Sequence, residues 1–335
     1  MPPTLSIVIP VYNEPNWIAV AVADAVKAVE RSTFADPELV IVDDGSDKAT
    51  QEALSRLPTS FRTRIIRQEN SGRFLARRAG IEAARGDLVL LLDARVSLEE
   101  DSLLFISEHL QADAELPIWN AHCHIDVTRN PYARFWNVLT ETAYRDYFAN
   151  PRTLSYGLEQ FDRYPKGTTC FLAPRDALLD ATEKFDSYYE DTRNANDDTS
   201  VIRLLAVDRP INISPQFACV YRSRDALVPF LRHAFHRGVI FIDGWARPGG
   251  RFFPVIVAFY PLSALAGLAA LIRPRMLRTV ALAAPAAGAG VGVALRRSRS
   301  DSAALGMLGP AWLCMYAAGM WRGLWLALRA RARAR

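Results

Sequence analysis

Carboxylates and arginines carry most of the chemistry open to this chain, and they stand at regular places. Asp43 and Asp44 end the apolar run Val40-Ile41-Val42 and precede Gly45. Asp93 ends Leu90-Leu91-Leu92, with Arg95 two residues on. Glu14 closes Ser6-Ile7-Val8-Ile9-Pro10-Val11-Tyr12-Asn13, and Arg77 follows Asn70-Ser71-Gly72. Further along come two acidic pairs, Glu190-Asp191 and Asp197-Asp198. A bare phosphate is usually held by backbone N–H groups of a Gly-rich loop rather than by acids. Acidic strand ends suit a ligand that brings its own cation, or one whose base and ribose hydroxyls need acceptors. A nucleotide-sugar has both needs. A carboxylate in an acidic pair can also serve as a general base. His122 and His124 alternate and so face one side of a strand, as wall residues or as a metal pair. Nucleophilic triads, Walker loops and dinucleotide fingerprints are absent.

Such residues need a scaffold that brings them together. Each apolar run reads as a buried parallel strand, and in an open α/β sheet the ligand lies outside the carboxyl ends of the strands. Strands are expected at 5–10, 39–42, 65–67 and 88–92, with helices at 17–31, 48–57 and 71–85 between them. This alternation predicts a mostly parallel sheet. A helix over 101–111 and an alternating strand over 118–127 follow. Residues 130–164 are rich in aromatics, either a packed helical layer or a platform that stacks on sugar rings. Residues 188–198 read as a solvated acidic loop, and 225–239 as an amphipathic basic helix.

As an ordered set these segments resemble glycosyltransferase family 2, over roughly residues 4–240. The resemblance implies a GT-A nucleotide-sugar-binding fold and an inverting transferase with a UDP-sugar as the favoured donor. It places Asp43 against the base, with Pro10, Tyr12 and Glu14 walling the nucleoside. Arg77 would pair with the diphosphate or lock Asp43, although Arg78 stands where the family usually has Asn. Asp93 would be the metal ligand for Mg²⁺ or Mn²⁺ on the diphosphate. The second carboxylate of the family's Asp-x-Asp is here Arg95, so either Asp93 holds the cation alone or Arg95 replaces it. The favoured base is Asp198, with Asp191 as the competitor. The stretch 230–238 resembles a segment of membrane-attached members, where His236 and Arg237 would close over the diphosphate or anchor at an interface.

Composition adds a second region. Of 335 residues 50% are hydrophobic, and mean hydropathy is +0.02, high for a soluble enzyme. The excess lies in three runs, 252–272, 279–295 and 303–328; the first has no charged residue and is long enough to cross a hydrocarbon core of roughly 30 Å. A catalytic domain over 1–240 and a membrane region over 241–335 are therefore expected. Net charge is +4, and arginines cluster beside the apolar runs at 273–278, 296–299 and 329–335, which points to lipid headgroups rather than nucleic acid. No secretory signal is visible at the N-terminus, and the four scattered cysteines show no zinc spacing or disulfide framework. The expected setting is the cytoplasmic face of a cell membrane, with a lipid-linked or cell-envelope glycan as acceptor. A catalytically silent module that binds nucleotide-sugar or scaffolds glycan assembly is the alternative.

Overall fold

The protein is described by a computed structural model over residues 2–57, 61–113, 115, 117–250 and 252–333; Arg335 of the basic tail lies outside the described residues. The chain begins β1 (Thr4–Val11), α1 (Ile18–Arg31), β2 (Ala35–Asp44), α2 (Lys48–Ser55), β3 (Arg62–Gln68), α3 (Arg73–Ala83) and β4 (Leu88–Leu92). It continues with β5 (Val96–Leu98), α4 (Ser102–Ala112), β6 (Trp119–Ile125), α5 (Pro131–Ala143), α6 (Arg145–Phe148) and β7 (Leu154–Tyr156). Next come β8 (Cys170–Pro174), α7 (Arg175–Glu183), α8 (Asp197–Asp208) and β9 (Ile211–Tyr221). The last helices are α9 (Leu227–Trp245), α10 (Phe253–Ile272), α11 (Pro274–Ala294) and α12 (Arg299–Arg333). Two compact units result. The first comprises 1–124, 144–186 and 197–222; the second comprises 125–143, 187–196 and 223–335. Residue 240, where the sequence suggests a division, falls inside α9, which packs along α12.

The first unit is a nine-stranded sheet in the order β3-β2-β1-β4-β8-β6-β9-β5, with β7 also paired to β9. β3, β2, β1 and β4 run parallel, as the continuous apolar runs of β1, β2 and β4 lead one to expect; β3, at the sheet edge, is largely polar. β8 joins β4 antiparallel, as do β6 to β8 and β5 and β7 to β9, so the sheet as a whole is mixed. Period-two alternation sends Leu5, Ile7, Ile9, Leu39 and Ile41 to one face, under α1, α2 and α4. Val8, Val40, Val42 and Leu91 go to the other face, under α3, α7 and α8. β1 lies between β2 and β4, so strand order reverses there. Such a switch point opens a crevice at the carboxyl ends of the strands.

The aromatics of 130–164 form packed layers. Tyr147, Tyr156 and Phe161 are buried in the core of the first unit, and Phe135 packs against Phe230 in the second. Residues 188–198 are a correction to the sequence reading, since Tyr189, Ala195, Asn196 and Asp197 are buried. Within the second unit, Asp243 on α9 supplies the reason for the loop. It accepts from Ser187 Oγ (2.8 Å) and the backbone N–H of Tyr188 and Asn196 (both 2.7 Å), and Tyr189 Oη donates to the Val239 carbonyl at 2.7 Å.

α9 and α12 of the second unit approach so closely that Gly238 faces the Tyr316 carbonyl and Gly319 the Phe235 carbonyl, with no room for a side chain. Phe135 and Val138 of α5, Phe230 of α9, and Leu305 and Leu308 of α12 form one cluster, and Arg134 pairs with Asp301 at 3.0 Å. The apolar runs become α10, α11 and α12. α10 and α12 are long and apolar enough to cross a membrane; the apolar part of α11, residues 278–294, is shorter.

Candidate active site

In the first unit, the loops after β1, β2 and β4 are laced together by their own polar side chains. Asp43 is buried and accepts from the Ser46 N–H at 2.9 Å, with Arg67 3.8 Å away. Gly45 has φ +76, and a side chain there would strike the backbone of Asn70, so the turn after β2 demands glycine. Asn13 donates its N–H to Ser46 Oγ and accepts from the Asp47 N–H at 2.7 Å, tying the β1 and β2 loops together. Pro10 sits at the end of β1 in register with Val42, and Tyr12 is exposed. Asp44 accepts from the N–H groups of Ser71 (2.8 Å) and Gly72 (2.9 Å), which fixes where α3 begins.

That anchoring decides what Arg77 reaches. Arg77 is 4% exposed and holds three carboxylates. One terminal nitrogen meets Asp93 Oδ1 at 2.7 Å; the other meets Asp197 Oδ2 and Asp198 Oδ1, each at 2.7 Å. The lock expected on Asp43 is therefore on Asp93 and the acidic pair instead. Arg73, one turn earlier on the same helix face, meets Asp197 at 2.6 Å and Asp198 at 3.9 Å. Thr168 Oγ1 donates to Asp198. Burial pushes the Asp93 carboxyl above its ordinary range, and Arg77 offsets part of that rise. Burial also works against charge on Arg77, but its three carboxylates overcome this and hold the guanidinium more firmly protonated than usual. Two guanidinium groups facing three carboxylates leave the cluster one negative charge in excess.

A second cluster follows Asp93 directly. Arg95 Nε meets Glu14 Oε1 at 2.7 Å, so Glu14, expected in the wall of the nucleoside, is engaged in an ion pair. The Arg95 carbonyl accepts from the Arg222 N–H at 3.0 Å, and one Arg95 terminal nitrogen donates to the Arg222 carbonyl at 3.3 Å. Arg222 lies over the Trp17 ring at 5.2 Å and donates to Ser97 Oγ; among the described residues it has no carboxylate partner. Arg95 and the adjoining Arg222 carry two positive charges against the one carboxylate that Arg95 meets.

His122 bonds the Tyr147 hydroxyl at 2.9 Å, and burial, then the neighbouring His124, push its pKa down to about 4. It is a core wall residue, the first of its two sequence readings. Asp191 belongs to the second unit, where it caps a short 3-10 turn by accepting from the Arg193 N–H at 3.0 Å and is half exposed. His236 and Arg237 lie on α9 of that unit, Arg237 exposed. Thr168 and Arg222 were not legible as site residues. Arg73 carried a signal in its spacing of four from Arg77.

Residues 6–172 match the family described as Glycosyl transferase family 2. The chain belongs to that family. Over 131 residues it is 26% identical to Glycosyltransferase GlyG of Streptococcus pneumoniae, covering 38% of this chain and 42% of that protein. Over 93 residues it is 41% identical to undecaprenyl-phosphate 4-deoxy-4-formamido-L-arabinose transferase of Shewanella sediminis, 27% of this chain and 28% of that one. The family 2 chain thus spans less than half the length of these relatives. A mannosyltransferase from Pyrobaculum calidifontis, solved with GDP-Man and Mn²⁺, matches with TM-score 0.53 at 19% identity, over 96% of this chain and 87% of the other. That likeness shows the GT-A fold expected from the sequence.

Proposed function

We propose that this chain is a membrane-associated inverting glycosyltransferase that moves a sugar from a nucleoside-diphosphate donor to a hydroxyl of a lipid-linked or cell-envelope glycan. One observation carries the reading. Asp198 heads α8 beside Asp93 and takes hydrogen bonds from Arg77 and Thr168, a carboxylate aimed and held for proton transfer. In a single displacement the acceptor oxygen bonds to the anomeric carbon as the bond from that carbon to the diphosphate breaks. The hydroxyl proton passes to Asp198, and the nucleoside diphosphate leaves. Asp43 would accept from the base, with Pro10 and Tyr12 walling the nucleoside. Asp191 caps its own turn, which supports Asp198 as the base of the two.

The membrane part of the reading is supported by α10 and α12, and the acceptor class by the undecaprenyl-phosphate activity named for the Shewanella relative. The first unit would stand on the cytoplasmic side, where nucleotide-sugars are made, with the acceptor raised in effective concentration by shared membrane. A divalent cation on Asp93 does not fit the side chains present. One Asp93 oxygen is taken by Arg77, the position two residues on is a guanidinium, and no three His, Cys, Asp or Glu groups are arranged to hold a metal ion among the described residues. No step is assigned to a metal. Membranes carrying the protein, incubated with a panel of radiolabelled nucleotide-sugars, should transfer label to lipid or glycan from one of them. Nucleotide binding with no transfer from any donor would leave a silent binding module.

A further inference from the structure

The two charged clusters of the first unit have opposite signs. Around Arg77, Asp93, Asp197 and Asp198 outnumber Arg77 and Arg73. Around Arg95, the guanidinium groups of Arg95 and Arg222 outnumber Glu14. A displacement at an anomeric carbon asks for this polarity, with a negative group to take the proton on one side and positive charge for the departing diphosphate on the other. We propose that Arg95 and Arg222 neutralise the donor diphosphate in place of a divalent cation, so that donor binding is independent of metal. The proposal rests on the transferase reading above and adds how that site handles its leaving group.

Four features equip the pair for this. Arg95 spends Nε on Glu14 and one terminal nitrogen on the Arg222 carbonyl, and its other terminal nitrogen makes no hydrogen bond among the described residues. Arg222 has no carboxylate partner among the described residues, and its guanidinium lies over the Trp17 ring rather than against an acid. Two reciprocal bonds, from the Arg222 N–H to the Arg95 carbonyl and from the Arg95 side chain to the Arg222 carbonyl, join the two residues. They therefore present their charge as a unit. Arginine matches diphosphate oxygens with paired N–H groups, which a hydrated lysine does not. A divalent cation brought to the same turn would meet these fixed positive charges, with one part-occupied carboxylate to hold it.

The test is calorimetry of UDP and of GDP with the full chain in detergent, in buffer with chelator and again with Mn²⁺. The wild type should bind one of the two with affinity equal within about twofold in both buffers. Arg222→Gln should weaken that binding about tenfold, equally with and without Mn²⁺. Arg95→Asp removes a cation and creates a second carboxylate two residues from Asp93, so its binding should vanish in chelator and return in part with Mn²⁺. Wild-type binding that appears only with Mn²⁺, or Arg222→Gln binding as tightly as wild type, would overturn the proposal. Binding of neither nucleotide in either buffer would overturn the transferase reading and the proposal together.

Discussion

The two units use the same apolar residues in opposite ways. In the first, Leu90, Leu91 and Leu92 lie in β4 with no more than 2% of their surface exposed, between two helical layers. In the second, Leu262, Leu265, Leu268 and Leu271 of α10 are all more than half exposed, and only 6% of that helix's apolar window is buried. A run of exposed leucines on one helix is the kind of apolar patch that marks a membrane or partner surface, which supports the membrane reading proposed above. Both units bury charge with partners, Asp243 in the second among them, but the first buries more of it. The first unit buries Asp43, Arg77 and Asp197, each with partners, whereas the arginines of the second unit collect beside its apolar helices. Buried charge in a hydrophobic core is costly unless it is paired, which makes the Arg77 cluster the strongest candidate for a functional site.

Substitutions can break this contrast, and the largest effect should come from its buried charge. Arg77→Ala leaves three carboxylates without their shared cation and should cost about 3–5 kcal/mol of folding stability. Thermal unfolding in detergent measures it; a loss under about 1 kcal/mol would mean the cluster is more open to water than its burial indicates. Leu90→Ala should cost about 2–5 kcal/mol, the loss for a leucine removed from a closed core. Asp43→Ala should weaken nucleotide binding by about 1–3 kcal/mol in calorimetry, and thermal unfolding should separately show the loss of its bond from the Ser46 N–H. Unaltered affinity would take Asp43 out of the donor site. The smallest effect belongs to Leu268→Ala on α10, within about 0.5 kcal/mol of wild type in detergent, because that side chain is apolar-solvated whether or not the helix packs. A loss comparable to that of Leu90→Ala would show a buried partner for α10 and weaken the membrane reading.

What the sequence disclosed follows the same contrast. β1, β2 and β4 were legible because strands buried on both faces are continuous apolar runs, and each ends in its polar residues. β8 and β9 were not. β8 has five residues, and β9 carries Pro215 and a Gln216 that breaks its apolar character midway. Both join the sheet antiparallel, without the helix-linked rhythm that marks the first four strands. In the site, the pair Asp197-Asp198 stood out by composition, and Arg77 by its motif. The partners of Arg77 did not, because Asp197 lies 120 residues away and only the fold brings it near. The sequence offers Arg77 the diphosphate or Asp43 as partner, yet Asp44 fixes the start of α3 so that Arg77 reaches the end of β4. Thr168 and Arg222 have no local signature; each matters through a partner on a distant element.

The central claim is that Asp198 is the base of a sugar transfer, and the most direct measurement is the transfer rate of Asp198→Asn beside that of Asp191→Asn, each with its nucleotide affinity. Asparagine preserves the shape of Asp198 but cannot take the proton, so transfer should fall by about 10²–10⁴-fold while nucleotide binding persists. Asp191→Asn, altering a half-exposed turn cap, should leave transfer within about twofold of wild type. A normal rate for Asp198→Asn, or a collapse confined to Asp191→Asn, would contradict the account.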